Sequence, residues 1–389
     1  MCCLIYESGE SGHRHEYVSH LMKFIISNPE LHGTYTFYLN EKIQKKIGSL
    51  DQEKVFDVKY FQFCGSYSNS IERSFAEWRT VSKSLREKKK FSEIIFLDID
   101  PYLILLTTDQ FKQHNLSVRG ILFEPYMHFR ERKGNVWFYM RHVLRSYVFQ
   151  RFSTYLNPNI QKLFILNDKK CITGMNKHIK DIFYFLPDPI DNEIKNVAPE
   201  NVERIILKYG IRPDKKNLLL FGSIDNRKNL TKILNSLILL PKAIRDHIHL
   251  IIAGKFLQEM KETYVSQIEK CIGEVSIVYY DEFVADEERE VLFQYCDLVL
   301  MPYINFYSSS GILGHTIKHN KNVIASNSGL VGRIVDDNKI GITVNPLKEK
   351  EIKDAILDVL NKKTDYHYKG DTLLKEYEPN NFSKTLLLA

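Results

Sequence analysis

The sequence predicts an α/β protein made of two Rossmann-like, doubly wound domains whose strand ends face one cleft. Three observations carry that expectation. Short apolar runs alternate with helix-length segments from residue 2 to about 186, and again from 217 to 360, as in parallel sheets covered by helices. The stretch Pro187–Pro199 holds three of the 12 prolines and interrupts the alternation, so it reads as a linker. The chain, at 389 residues, is too long for one ordinary core. The expected division is 1–187, 188–365 and a polar tail, 366–389, packing back on the first domain.

In the first half, Cys2–Tyr6 reads as a strand. The turn Glu7–Gly12 leads into a helix, His13–Ile26, with Tyr17, Leu21, Phe24 and Ile25 on its apolar side. Further strands are expected over Thr34–Leu39, Val55–Phe61, Glu93–Leu97, Ser117–Phe123, Lys162–Leu166 and Ile182–Leu186. A long helix should cover Asn69–Lys90. Asp98 and Asp100 could hold a metal, but before Pro101 they fit helix caps better. Phe129–Tyr155 reads as a basic, aromatic helix, with Arg130, Arg132, Lys133, Arg141, Arg145 and Arg151 against one acid, Glu131. Such a helix can lie on an anionic membrane or pack in a core with its arginines reaching outward. The residues leave both open.

In the second half, strands are expected over Asn217–Phe221, His249–Ala253, Val275–Tyr279, Asp297–Met301, Asn322–Ala325 and Gly341–Val344. The stretch Tyr307–Leu330 reads YSSSGILGHTIKHNKNVIASNSGL. It contains two strand-to-helix turns rich in Ser and Gly, at the carboxyl edge where open α/β sheets bind ligands. Exposed amides and a positive helix end there suit an anion such as phosphate, although serine also caps helices generally.

Composition narrows the classes. Apolar content of 44% and charged content of 26% are those of a soluble globular chain. No apolar run approaches the roughly 20 residues of a membrane span. Met1–Tyr6 lacks a basic leader segment and reads as a strand rather than a signal peptide. Six scattered cysteines without zinc spacing suggest reduced thiols, hence a cytoplasmic protein. A net charge of +6 suits nucleotides or lipid headgroups. No nucleic-acid-binding motif organises the aromatics, so no nucleic-acid partner is expected. The glycine turn after the first strand falls short of the dinucleotide fingerprint, which counts against NAD.

Four segments, in order, carry a resemblance: LLLFGSIDNRKNLTKIL, HLIIAGK, VYYDEFVADEEREVLFQYCDLVLMPY and SSSGILGHTIKHNKNVIASNSGLVGRIV. They resemble the donor-binding domain of retaining, nucleotide-sugar-dependent glycosyltransferases of the GT-B fold, the group 1 or family 4 type. The first half agrees more loosely, through SGHRHEYVSHL, GILFEPYMHF and FYFLPDPI. The resemblance implies that Lys228, helped by Arg227, neutralises a nucleoside diphosphate. Ser223 stands where the family has an arginine. Ser309, Ser310 and Gly311 would bind the diphosphate through helix-end amides, and Gly12 (with Gly9) through the first-domain turn. Relatives carry two glutamates for the donor sugar and ribose. Tyr307 and His315 fall at those positions, so His315 becomes the sugar or ribose candidate. His128 is the expected catalytic contact to the donor sugar, followed by His13 and Glu124.

The implied reaction moves a sugar from a UDP- or GDP-sugar to a saccharide or lipid-linked acceptor with retention of configuration, in surface polysaccharide synthesis. It needs neither metal nor other cofactor, and peripheral membrane contact would run through residues 129–155. Three alternatives stay open: a GT-B binding protein without catalysis, an NAD-linked oxidoreductase, and a sugar-nucleotide 2-epimerase.

Overall fold

The computed structural model describes residues 2–9, 14–62, 67–87, 91–131, 136–194, 196–361 and 370–388. The chain forms two compact units, residues 1–189 with 379–389, and residues 190–378. In the first unit, β1 (Cys2–Glu7), β2 (Tyr35–Asn40), β3 (Asp57–Phe61), β4 (Phe91–Phe96), β5 (Ser117–Ile121), β6 (Ile160–Leu166) and β7 (Phe183–Leu186) make one parallel sheet, ordered β3-β2-β1-β4-β5-β6-β7. Alternation along β1 explains why both faces are apolar. Leu4 and Tyr6 join Ile94, Phe96 and Trp78 in one core. Cys3 and Ile5 join Tyr17, Leu21 and Phe37 in the other. A strand buried on both faces reads as a continuous apolar run, which is why the parallel sheet shows in the sequence.

The chain's last helix, Pro379–Leu388, completes this second core with Phe382, Leu386 and Leu387. Its carboxyl end is held by Arg119, a residue of β5. The guanidinium makes two 2.5 Å bonds to the Glu93 carboxylate. It also donates to the carbonyls of Leu386 at 3.2 Å and Leu387 at 3.3 Å. A cation at a helix carboxyl end satisfies orphan carbonyls and opposes the dipole. Gly370–Glu376, earlier in the expected tail, is a helix of the second unit.

Two sequence expectations change here. Asp100 does not cap the turn at Pro101. Its carboxylate accepts from the amides of Phe123 and Glu124, at 2.7 and 3.2 Å, and so ties down the loop after β5. Asp98 accepts from the Asp100 amide and pairs with Arg14. The stretch expected as a helix over 129–155 is helical throughout its described residues, as Tyr126–Glu131, Val136–Phe138, Tyr139–Leu144 and Arg145–Leu156, but Tyr139–Leu144 is π-helical, which the sequence does not lead one to expect. A π segment takes an extra residue per turn, which ends the regular helical repeat. Arg132, Lys133 and the Arg141 side chain lie outside the described residues.

The second unit repeats the scheme. β8 (Lys216–Phe221), β9 (Ile248–Ala253), β10 (Ser276–Tyr280), β11 (Leu298–Met301), β12 (Asn322–Ser326) and β13 (Gly341–Val344) form a parallel sheet ordered β10-β9-β8-β11-β12-β13. Leu218, Leu220, Leu250, Ile252 and Leu300 pack with Leu230, Leu234, Ile352 and Ile356 of the covering helices. β8 lies between β9 and β11, so successive crossovers run to opposite sides of it. That switch point opens a crevice at the strand ends. Among the described residues, no helix is long and apolar enough to cross a membrane.

Arg119→Ala should destabilise the first unit by about 3 kcal/mol, because it leaves Glu93 and two helix-end carbonyls without their cation. Denaturant unfolding measures this, and amide hydrogen exchange in Pro379–Leu388 should accelerate with it.

Candidate functional site

β8 ends at Phe221, and the chain turns through Gly222 and Ser223 at the switch point. Gly222 has φ +98°, and Gly254, after β9, has φ +140°. A Cβ on Gly254 would lie 2.0 Å from the Gly222 carbonyl oxygen. Only glycine permits that conformation and that approach of two backbones. The turn Asn226–Lys228 follows, with the Asp225 carboxylate accepting from the Arg227 amide at 3.0 Å. Asn229 then takes a left-handed conformation at φ +60°. Its side chain donates to the carbonyls of Pro302 and Pro346, at 3.0 and 2.6 Å. The Ile304 amide donates to the Arg227 carbonyl. The turn after β8 is therefore latched onto the loop after β11.

The latch puts Lys228 where a surface residue would not be expected. It is 1% exposed. Its amine donates to the Phe221 carbonyl at 2.6 Å and to the Tyr303 hydroxyl at 2.7 Å. The amine also lies 4.3 Å from the Tyr303 ring centroid. Both hydrogen-bond partners are neutral, and among the described residues no carboxylate pairs with this amine. Burial, reinforced by the neighbouring Arg227 guanidinium, pushes its pKa well below the ordinary lysine range, against a weaker pull from Asp225. Arg227 is more open. Its guanidinium lies 4.9 Å from the Phe306 centroid and 6.0 Å from that of Tyr303. It reaches Asp225 only at 3.4 Å, and its buried Nε makes no hydrogen bond. Two cations thus meet on an aromatic shelf with one weakly engaged carboxylate.

The serine turn lies beside them. Ser310 precedes the helix Gly311–Lys318 and makes no side-chain cap to it. A Cβ on Gly222 would meet Ile312 of that helix at 3.0 Å and the Lys228 amine at 3.4 Å. Gly222, Lys228 and the start of this helix are therefore one cluster. Ser223 is exposed, while Ser309, Ser310 and Gly311 are partly exposed. The next helix, Gly329–Asn338, begins in the same way, with Ser328 unbonded to its first turn and Gly329 at φ +80° against the Phe306 carbonyl. His315 sits on the helix Gly311–Lys318 with its ring 5.4 Å from Phe293. Tyr307 is buried.

The far end of the helix Gly311–Lys318 is anchored by charge. Glu290, on the helix Asp286–Tyr295, is 2% exposed. Its carboxylate bonds the Lys318 amine at 2.7 Å and lies 3.1 Å from His319 Nε2. Burial acts to raise the Glu290 carboxyl, and the nearby His319 ring with the Lys318 hydrogen bond overcomes it, holding it at about 2.

The first-unit candidates are arranged differently. Gly12 and His13 lie outside the described residues. Gly9 donates its amide to Glu7, whose carboxyl is 2% exposed and is raised by burial to about 7, while Arg14 bridges Glu7 and Asp98 at 3.0 and 2.6 Å. Glu124 is exposed. His128 is not at an open edge, being 5% exposed with its Nε2 2.9 Å from the Asp168 carboxylate. Its helix packs against Lys169–His178, whose start Asp168 caps through the Cys171 amide. His128, Asp168 and Cys171 offer ligand atoms within 4.8 Å of one another, the one such trio among the described residues. Zinc bonds of about 2.0–2.3 Å draw ligands closer together than that, and both carboxylate oxygens already serve the imidazole and the helix cap. The trio reads as a buried structural pair with a neighbouring thiol. Sequence reasoning missed Tyr303, Phe306 and Asn229. Asn229 follows Lys228 directly, and an asparagine there signals a left-handed residue.

Comparison with known proteins bears on the fold and the family. Residues 201–372 match the family of glycosyl transferases group 1. No curated protein matches by sequence. Among solved structures, the chain is similar to WaaG, a glycosyltransferase involved in lipopolysaccharide biosynthesis, at 15% identity, 100% coverage of both chains and TM-score 0.67. It is similar to Anabaena HepE in complex with UDP-glucose, at 12% identity, 99% and 98% coverage and TM-score 0.65. It is also similar to sucrose-phosphate synthase from Thermosynechococcus elongatus, at 11% identity, 99% and 96% coverage and TM-score 0.72. The fold class is that of GT-B proteins, two parallel-sheet Rossmann-like units.

Glu290→Ala should cost roughly 3–5 kcal/mol at neutral pH by denaturant unfolding, since it leaves the buried Lys318 amine and the His319 ring without their carboxylate. Because the folded carboxyl sits below its ordinary 4.5, Glu290 stabilises above that value. This increment should fade as pH falls from about 4.5 toward 2, and Glu290→Gln should lack it.

Proposed function

We propose that the protein is a retaining glycosyltransferase that takes a UDP- or GDP-sugar as donor and a saccharide or lipid-linked acceptor. The observation that carries this reading is the cation pair at the second unit's switch point. Lys228 is held by a carbonyl and a phenol, Arg227 lies against aromatic rings with Asp225 at 3.4 Å, and both adjoin a helix start that its N-cap residue Ser310 does not cap. This is a charge-deficient site, and a diphosphate supplies what it lacks. The family match over 201–372 and the GT-B fold support the same class. HepE is a structural neighbour crystallised with UDP-glucose, which supports a nucleotide-sugar donor.

In this reaction the bond from the anomeric carbon to the diphosphate oxygen breaks, and a bond from that carbon to the acceptor oxygen forms. The acceptor proton passes to an oxygen of the departing diphosphate. Lys228, Arg227 and the amides near Ser310 and Gly311 stabilise the charge that develops there. The chain itself supplies that charge, so the scheme requires neither metal nor further cofactor. Ser223 and Ser309 line the approach, and His315 is the sugar or ribose contact. Glu124, exposed beyond β5, is the first-unit candidate.

A second reading has its own support. Tyr307, buried, and His315, ring against Phe293, occupy the positions of the family's two glutamates. A binder of nucleotide sugars that transfers nothing would tolerate this. Hydrolysis or transfer of donor in an acceptor screen separates the two readings.

The reading extends to a membrane. Trp137, Tyr139, Phe152 and Tyr155 are each more than half exposed, as are Val136 and Met140, and Arg145 and Arg151 lie among them. Aromatic rings with arginines suit the headgroup region of an anionic bilayer, as expected of an enzyme at the cytoplasmic face making surface polysaccharide.

UDP or GDP should raise the melting temperature, with a gain of about 2.7 kcal/mol at a hundredfold excess over the dissociation constant. Lys228→Ala should remove most of that shift, and an unaltered shift would take Lys228 out of the site. The protein should also sediment with vesicles containing anionic lipid and not with neutral ones. Trp137→Glu with Phe152→Glu should abolish this co-sedimentation while leaving the melting temperature unchanged.

A further inference from the structure

The aromatic shelf under the two cations has a task that the proposed reaction alone does not specify. We propose that Tyr303 is a positioning residue that holds the Lys228 amine ready without a counter-charge, so that nucleoside diphosphate binding is coupled to uptake of a proton. This inference rests on the donor-site reading above.

An ammonium removed from water is costly unless an anion compensates it. The other buried lysine among the described residues, Lys318, has such an anion in Glu290 at 2.7 Å. Lys228 has the Phe221 carbonyl and the Tyr303 hydroxyl instead. The charged and titratable groups around it are few. On its own turn are Arg227, which repels it, and Asp225, which is shared with Arg227 and the turn amide. Tyr264, from the helix Gln258–Cys271, bonds Asn226 on that turn. From the loop after β11 comes Tyr303 itself, whose own hydroxyl burial pushes toward the neutral form. The helix Gly311–Lys318 contributes apolar Ile312 beside the amine.

Tyr303 suits both protonation states. Its oxygen accepts from an ammonium, and its O–H can donate to a neutral amine. Its ring, 2% exposed and edge-on to Phe306 at 5.6 Å, fixes the place of that hydroxyl. The amine is thus held in one position whether charged or neutral. Arrival of a diphosphate supplies the missing anion and favours the charged form. Burial has lowered the pKa of the free site, and the ligand raises it. Binding therefore takes up a proton wherever the free amine is partly neutral. Affinity is full below the free-site pKa and falls as pH rises through it, with a limit of about tenfold per pH unit.

Calorimetric titration of the full chain with UDP and with GDP tests this between about pH 7.5 and 9.5, above the phosphate's own titration near ~6. Each titration is run in two buffers of different ionisation enthalpy. The expected result is weaker binding at higher pH and a proton uptake that grows with pH toward one. Tyr303→Phe takes an acceptor from the ammonium and so lowers the amine's pKa in the free site further, and its affinity should begin to fall at lower pH than in the wild type. Binding with no uptake and a flat pH profile in the wild type overturns the proton coupling, while the donor-site reading survives. A coupled wild type with an unchanged Tyr303→Phe profile overturns the role of Tyr303. Absence of binding by either nucleotide overturns the donor-site reading, and this inference with it.

Discussion

The second unit is arranged around a buried amine without an anion. Lys228 is fully enclosed, yet its partners are a strand-end carbonyl and a phenol. An enclosed cation is costly, so the fold must hold it there firmly. Asn229 latches its turn to two loops, Gly222 and Gly254 let two strand ends meet, and Tyr303 fixes the amine's place. A chain selected for stability alone would place an apolar residue at such a position. The cost makes sense when a ligand supplies the missing charge.

The same contrast distinguishes this site from the charged clusters elsewhere. Glu290 with Lys318 and His319 is compensated within itself, and it anchors the far end of the helix whose start adjoins Lys228. Arg119 with Glu93 is likewise closed, and holds the returning terminal helix to the first sheet. These clusters fix structure, whereas Lys228 has no carboxylate partner among the described residues and Arg227 reaches Asp225 only at 3.4 Å. The first unit has its own unusual carboxyl at the end of its first strand, Glu7 of β1, but Arg14 and the Gly9 amide already engage it.

Much of the fold was legible in the sequence, because strands buried on both faces are written as apolar runs. Among the described residues, the strands β1 to β13 coincide with expected ones to within a few residues, and their alternation with helices implied parallel sheets, although not the strand order. The turn after β8 was legible as a strand end, whereas Lys228 and Arg227 were singled out only by the family resemblance. Side-chain destinations were harder to read. Nothing in the run EPYMHF says that His128 turns inward to Asp168, which lies 40 residues away. Tyr303 looks like any aromatic after a strand, and its meaning appears only when the loop returns over Lys228. Asp100 resembles a helix cap until the β5 loop is seen to claim its oxygens. The helix expected over 129–155 is there in the described residues, but the π segment inside it, Tyr139–Leu144, is a backbone feature that residue propensities do not mark.

What matters most is whether a diphosphate completes the charge at the end of β8. A crystal structure of the protein soaked with UDP or GDP tests it most directly. The expected electron density places a phosphate oxygen within hydrogen-bond reach, about 3 Å, of the Lys228 amine and of the amides that begin the helix Gly311–Lys318. Density for the nucleotide elsewhere, or a lysine that keeps only Phe221 and Tyr303 as partners in a crystal saturated with nucleotide, would contradict it.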